Sequence, residues 1–193
     1  MRRTRFLDGT MVTARVAKQQ GLNRSMIRSV QRGTITISIA GQVQTATITA
    51  VVLSNTRLIH LGSTSADGTS TEVPYQSVSL ELTNATTITA TAGDTSLDAA
   101  AVVSYEVIEF WPGVIKSVQR GTIQLVGVAS NTATVTAVNT AKSSLECTGF
   151  YAATAEPDRF YTKLVLTNGT TITATKNTAT DTVNIWYQLV EYY

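Results

Sequence analysis

The chain spells SVQRGTI twice, at Ser29–Ile35 and again at Ser117–Ile123. The echo is longer than seven residues. IRSVQRGTITI at 27–37 matches IKSVQRGTIQL at 115–125, and TATITAV at 45–51 matches TATVTAV at 132–138. LTNATTITAT at 82–91 matches LTNGTTITAT at 166–175, and YEVIEF at 105–110 matches YQLVEY at 187–192. The offset falls from 88 through 87 and 84 to 82, and each loss lies between matched segments, where loops absorb changes of length. This is a tandem duplication. Solenoid repeats are shorter and lean on several neighbours, whereas each copy here is long enough to bury a small core of its own. The expected organisation is an N-terminal segment at 1–26, a first repeat at 27–110, a short Pro- and Gly-containing linker WPGV at 111–114, and a second repeat at 115–193.

Inside each copy the apolar period is two. Ala46, Ile48, Ala50 and Val52 alternate with Thr45, Thr47 and Thr49, the second copy repeats this with Ala133, Val135 and Ala137, and Val78, Leu80 and Leu82 alternate with Ser and Glu. Strict alternation marks strands packed on one face and wet on the other, the habit of antiparallel sheets. Thr accounts for 34 of the 193 residues while only 15% are charged. Threonine holds the wet face of a strand because it is β-branched yet polar. The fold class read from these patterns is all-β: two tandem, similar, small antiparallel β-sandwich (or barrel-like) domains behind a basic N-terminal arm.

Three local expectations follow. Ile27 is odd-numbered, Val30 even, and Ile35 and Ile37 odd again, so the inward phase slips near QRG; Gly33 and Gly121 are read as bend residues, with Arg32 and Arg120 facing solvent or a neighbouring domain. Asn-Gly in TNGTT at 167–171 signals a type I′ hairpin, and Ala85 at the matching place in TNATT suggests a different turn. The last strand of each copy carries large groups on both faces, which suits either a subunit contact or packing between the two domains. The lone Cys147 reads as a small buried hydrophobe.

No constellation for catalysis is apparent. His60 is the only histidine, Cys147 is outside any metal-ligand spacing, and no nucleophile elbow, phosphate loop or dinucleotide fingerprint occurs. The carboxylates Glu106 and Glu109 end a repeated strand, and only the second has a counterpart, Glu191. The expectation is a protein that is not an enzyme, with no catalytic, cofactor-binding or metal-binding residues and no cofactor. No run of 18 apolar residues is present, so no membrane partner is expected.

Two features point to recognition. Residues 1–32 hold eight basic side chains and one acid, a net +7, against −5 for the remainder. Arg2, Arg3, Arg5, Arg15, Lys18 and Arg24 are the candidates for docking onto a partner; an acidic protein surface is favoured over nucleic acid, since Phe6 is the arm's only aromatic. The second feature is the loop at 150–161, where Phe150, Tyr151, Phe160 and Tyr161 surround Glu156, Pro157 and Asp158. With Tyr192 and Tyr193 at the end of the chain, these are candidates for ligand or subunit contact. The bland alternative is that the loop folds back on the sandwich.

The repeated text, IKSVQRGTI followed by TATVTAV, LTN-TTITAT and YE-I-EF, resembles a β-repeat family in structural proteins of tailed bacteriophage virions. The resemblance covers 27–193 and leaves the basic arm outside. It implies a non-enzymatic decoration, collar, tail or fibre-like subunit, made in the host cytoplasm and located in the virion. Its implied partners are other virion proteins (capsid, portal, collar or tail subunits) and further copies of itself, with the arm or first domain as anchor. The alternative is a host-surface or carbohydrate-binding virion protein using the aromatic 150–161 loop.

Overall fold

Runs of Val, Ile and Thr in alternation form strands throughout the computed structural model, which describes residues 25–38, 43–65, 77–92, 100–152 and 161–193. The arm residues Arg2, Arg3, Arg5, Arg15, Lys18 and Arg24 lie outside the described residues, as does Phe160. The first half contains β1 (Ile27–Ile37), β2 (Val43–Thr47), β3 (Thr56–Ser65), β4 (Val78–Asn84), β5 (Thr87–Ala92) and β6 (Ala101–Phe110). The second half follows the same order with β7 (Ile115–Val126), β8 (Ser130–Thr134), β9 (Ser143–Ala152), β10 (Thr162–Asn168), β11 (Thr171–Lys176) and β12 (Thr182–Tyr192). A single 3₁₀ turn precedes the third strand of each half, at Leu53–Asn55 and Thr140–Lys142.

Each half is a pair of three-stranded antiparallel sheets, ordered β1-β6-β3 with β2-β5-β4, and β7-β12-β9 with β8-β11-β10. The protein is therefore all-β, with two similar sandwich-like halves. The apolar sides of the paired sheets meet. Ile35, Ile37, Leu58, Val103 and Val107 from one sheet join Leu80, Leu82, Ile88 and Ala90 from the other. The second core repeats this with Ile123, Leu125, Ile185, Leu189, Ile172 and Ala174. Among the described residues none belongs to both cores, and a small third cluster of Phe110, Ile115 and Val190 lies where the chain passes from β6 to β7. β6 and β12 are the central strands of their sheets, so they lack a solvated edge. Large groups on their outward faces pack at that third cluster, where Phe110 meets Tyr192 edge-on at 6.5 Å.

The phase slip is real but is not at the glycines. β1 stays in register with β6 from Ser29 to Ile37, and the irregularity lies between Ile27 and Ser29, at Arg28. β7 shows the same irregularity between Ile115 and Ser117, at Lys116. Gly33 and Gly121 are not among the positive-φ residues, so they are not bends. Each sits directly across from a tyrosine, Tyr105 or Tyr187, whose ring lies over it. A Cβ on Gly33 would stand 2.5 Å from the Tyr105 hydroxyl oxygen and 2.7 Å from the ring carbon bearing it. The glycine is there to admit the ring.

The turn after β4 and β10 also corrects an expectation. A type I′ turn needs positive φ at both central residues, and Gly169 has none. Both copies instead use an Asn side chain, Asn84 or Asn168, which accepts from the backbone N–H of Thr86 or Thr170 at 2.9 and 2.8 Å. Ala85 and Gly169 therefore occupy the same kind of turn. Cys147 is exposed, contrary to its expected burial, because it sits beside a bulge in edge strand β9.

Candidate functional site

Two sets of polar groups recur or converge in this structure. The first is a buried glutamate in each half. Glu109, 3% exposed, accepts from Arg28 Nη1 at 2.8 Å, Ser29 Oγ at 3.2 Å and the backbone N–H of Val52 at 3.0 Å. Glu191, 2% exposed, accepts from Lys116 Nζ at 2.9 Å and from the backbone N–H of Asn139 at 2.9 Å. The bulge at Arg28 and Lys116 is what turns a basic side chain onto the carboxylate. Hydrogen bonds from Asn139 and then Lys116, with Ser117 adding a smaller share, hold the Glu191 carboxyl below the usual carboxylate range despite desolvation. A buried charge so fully paired is a structural tie between the first strand, the last strand and the 3₁₀ turn.

SVQRGTI can now be read position by position. Ser29 and its counterpart Ser117 serve the glutamate. Gln31 exchanges two hydrogen bonds with the backbone of Thr49, at 2.9 and 2.7 Å, and Gln119 does the same with Thr136. Each glutamine thus closes its sheet over the segment after the second strand. Gly33 and Gly121 receive the tyrosine ring, and Ile35 and Ile123 enter the cores. The valine and the arginine differ between copies: Val30 is exposed whereas Val118 packs against the third cluster, and the arginines have different partners.

Arg32 lies at the surface, its side chain 66% exposed, and pairs with Glu106. Arg120 instead reaches into the contact between the halves. It donates to the backbone carbonyl of Thr56 at 2.6 Å and to Gln188 Oε1 at 3.1 Å. Burial pushes its pKa down to about 10, with the Glu81 carboxylate pulling the other way. The guanidinium remains charged at neutral pH. Gln188 is fully buried, and its side-chain amide pairs with Leu58 as a strand would, accepting from N–H and donating to C=O at 3.2 Å each. Its Nε2 also donates to Glu146 Oε2 at 2.9 Å, and Glu146 is ion-paired with Arg57. The unpaired edge of β3 is thereby capped by side chains of the other half.

Gly149 brings the backbones together. It holds φ +127, and a Cβ there would overlap Ser79 and the Val78 carbonyl of β4. This explains why Ser79, expected on a wet face, is 2% exposed. The matching Gly62 has φ +115 with open space around it. The junction is thus a close backbone contact flanked by a polar network in which Arg57 Nε is buried without a partner.

The loop aromatics do not converge into one described cluster. Phe150 packs against the second core, and Tyr151 lies against Trp186 with the rings tilted at 41° and their centres 5.4 Å apart. Tyr161 is 68% exposed, beside an open depression lined with Lys163, Thr175 and Asn177. Tyr192 packs at the third cluster, while Tyr193 is 69% exposed and its N–H donates to Val114 O at 3.3 Å. Sequence inspection missed Arg57, Glu146, Gln188 and Gly149. The signal for three of them was present as differences between otherwise matched strands: Arg57 against Ser144, Ile59 against Glu146, and Glu106 against Gln188. Among the described residues, no group of His, Cys, Asp and Glu could hold a metal ion. No family model, curated protein or solved structure matches the chain.

Proposed function

We propose that this chain is a non-enzymatic architectural subunit of a tailed-phage virion, a decoration, collar, tail or fibre-like component held by its basic arm or first half. The observation that carries the architectural part is the use made of the polar groups at the strand ends and junction. Glu109, Glu191, Glu146, Gln188 and Arg120 each hold structural partners within the chain. A carboxylate saturated in this way is poorly placed to move protons for a substrate. The virion assignment draws on the resemblance of the repeated text, and the charged arm supplies the means of attachment. Other capsid, portal, collar or tail subunits are the partners this reading implies.

The test is incorporation. In cells producing the particles, a chain lacking residues 1–26 competes with the full chain, and peptides of each are quantified in purified virions. Loss of the truncated chain from particles, with its β-sheet signal intact in the soluble fraction, supports anchoring by the arm. Equal incorporation refutes it, and absence of both forms from particles refutes the virion role. A carbohydrate-binding role is a second reading, favoured by exposed Tyr161 among hydroxyl, amide and ammonium groups. An aromatic face with such neighbours suits a sugar ring. Binding on a glycan array that Tyr161→Ala abolishes would select this reading.

A further inference from the structure

The junction between the halves is one-sided. The first half contributes the Leu53–Asn55 turn, β3 and β4, and the second contributes β7, β9 and β12. Because the halves are copies, each retains a version of the surface that the other has engaged, and among the described residues that version is unused. The first half keeps its own β1–β3–β6 surface around Arg32, Leu61 and Glu106. The second half keeps its own β9–β10 surface around Leu164 and Val165.

Burial differs between used and unused versions. Leu80 and Leu82 of β4 are 1% and 4% exposed, whereas Leu164 and Leu166 at the matching places in β10 are only half-buried. Thr148 is 5% exposed at the junction, whereas its counterpart Leu61 is 55% exposed. Val165 is 46% exposed where the first copy has Glu81. Glu81 and Thr148 line the same small cavity at the junction, so positions 165 and 61 are the pair that the same geometry would bring together. Both are apolar. The substitutions are matched elsewhere too: Arg57 and Glu146 form an ion pair inside, and their counterparts Ser144 and Ile59 are both uncharged. At this pair the loss of one charge is matched by the loss of the opposing one, so neither position would bury an unpaired charge. Arg32 keeps the guanidinium of Arg120 and carries its own counter-ion, Glu106.

We infer that copies of this chain join head to tail, the free β9–β10 surface of one docking on the free β1–β3–β6 surface of the next. The contact repeats the internal junction with an apolar centre in place of the ionic one. Such a contact joins two different surfaces, so it closes into a ring if the rotation allows and extends into a filament if it does not. The inference rests on the internal geometry and not on the virion role.

Light scattering on the full chain at micromolar concentration reads the outcome directly. The wild type is expected as an oligomer or a concentration-dependent polymer. Leu61→Asp disables one surface and Val165→Asp the other, and the two introduced charges repel where they would meet, so each variant alone is expected to be monomeric. An equimolar mixture retains one intact junction per pair and is expected to form 1:1 dimers and nothing larger. Should either variant lose its β-sheet signal, Leu61→Gln and Val165→Gln carry the same comparison. A monomeric wild type overturns the inference. So does dissociation by only one of the two variants, which indicates a two-fold contact, or a mixture that stays monomeric. Oligomers that never enter particles refute the virion role while leaving this junction standing.

Discussion

Gly33 and Gly121 each lie beneath a tyrosine ring from the neighbouring strand, Tyr105 or Tyr187. A glycine in a strand suggests backbone freedom, but the same absence of a side chain also permits close approach from across the sheet. Here the second use applies, since Tyr105 and Tyr187 are buried over these positions. Gly33→Ala should destabilise the chain by about 1–3 kcal/mol through overpacking. Replacing Tyr105 by Leu in the same chain should return part of that loss, as measured by a double-mutant cycle in denaturant; strict additivity would show that the ring is not the obstacle. His60 gives a pH prediction at the same scale. Its Nε2 lies 3.0 Å from the Val78 carbonyl and its Nδ1 accepts from Gly62 N–H at 3.0 Å, an arrangement that needs the neutral ring with its proton on Nε2. Burial lowers its pKa. The unfolded chain therefore takes up the proton first as pH falls, so the contribution of His60 is complete above about 6.5 and lost below it. The Tm should fall as pH drops from 7 to 5, and His60→Gln should flatten that slope.

Strands were legible where one face is wet, because alternation and threonine report burial directly. The repeat also showed that both halves share one order of strands. What the pattern hid was where the symmetry breaks. Gln188 and Glu106 are near-isosteric in sequence, yet one is buried pairing with the Leu58 backbone and the other holds a surface arginine. Nothing in the local period separates them, since the difference comes from a neighbour 130 positions away. Likewise the bulge was placed at the conspicuous glycine, although the actual bulge residues, Arg28 and Lys116, are marked only by the charge they bring to Glu109 and Glu191. Edge strands β3 and β9 offer a direct comparison. Gly62→Ala and Gly149→Ala both impose a side chain at positive φ, costing about 1–3 kcal/mol. Only the second also drives a methyl group into Ser79 and Val78. Gly149→Ala should therefore be the more destabilising of the two in thermal melts, and equal losses would mean that the backbones do not meet at this point. The glutamate tie should show its own acid step. The Glu191 pKa is lowered in the folded chain, so its contribution is present above about pH 4.3 and lost as the pH falls further, a step that Glu191→Gln removes.

At the scale of the whole molecule, separate cores and a polar junction set how the chain unfolds. Two cores with no shared residue are two potential cooperative units, and only the junction can make them unfold together. That junction depends on groups that cannot be removed singly without leaving others exposed to a dry environment. Deleting the Arg120 side chain takes a donor from the buried Thr56 carbonyl, leaves Gln188 Oε1 with Leu58 N–H as its remaining donor, and leaves Glu81 without its nearby cation. A buried group left unsatisfied costs about 1–3 kcal/mol. Arg32 at the matching place donates only to its surface partner Glu106, so its deletion should cost less than about 1 kcal/mol. The two substitutions thus form a matched pair within one molecule: the same residue in the same repeated phrase, one paired with Glu106 at the surface and the other with Gln188 beneath another half. Calorimetry should show one transition for the wild type and for Arg32→Ala. Arg120→Ala should broaden or divide it, because the halves no longer share the junction's free energy. A single sharp transition that moves equally for both substitutions would mean that the coupling runs through the apolar cluster of Phe110, Ile115 and Val190 instead, and that the arginine is incidental to it.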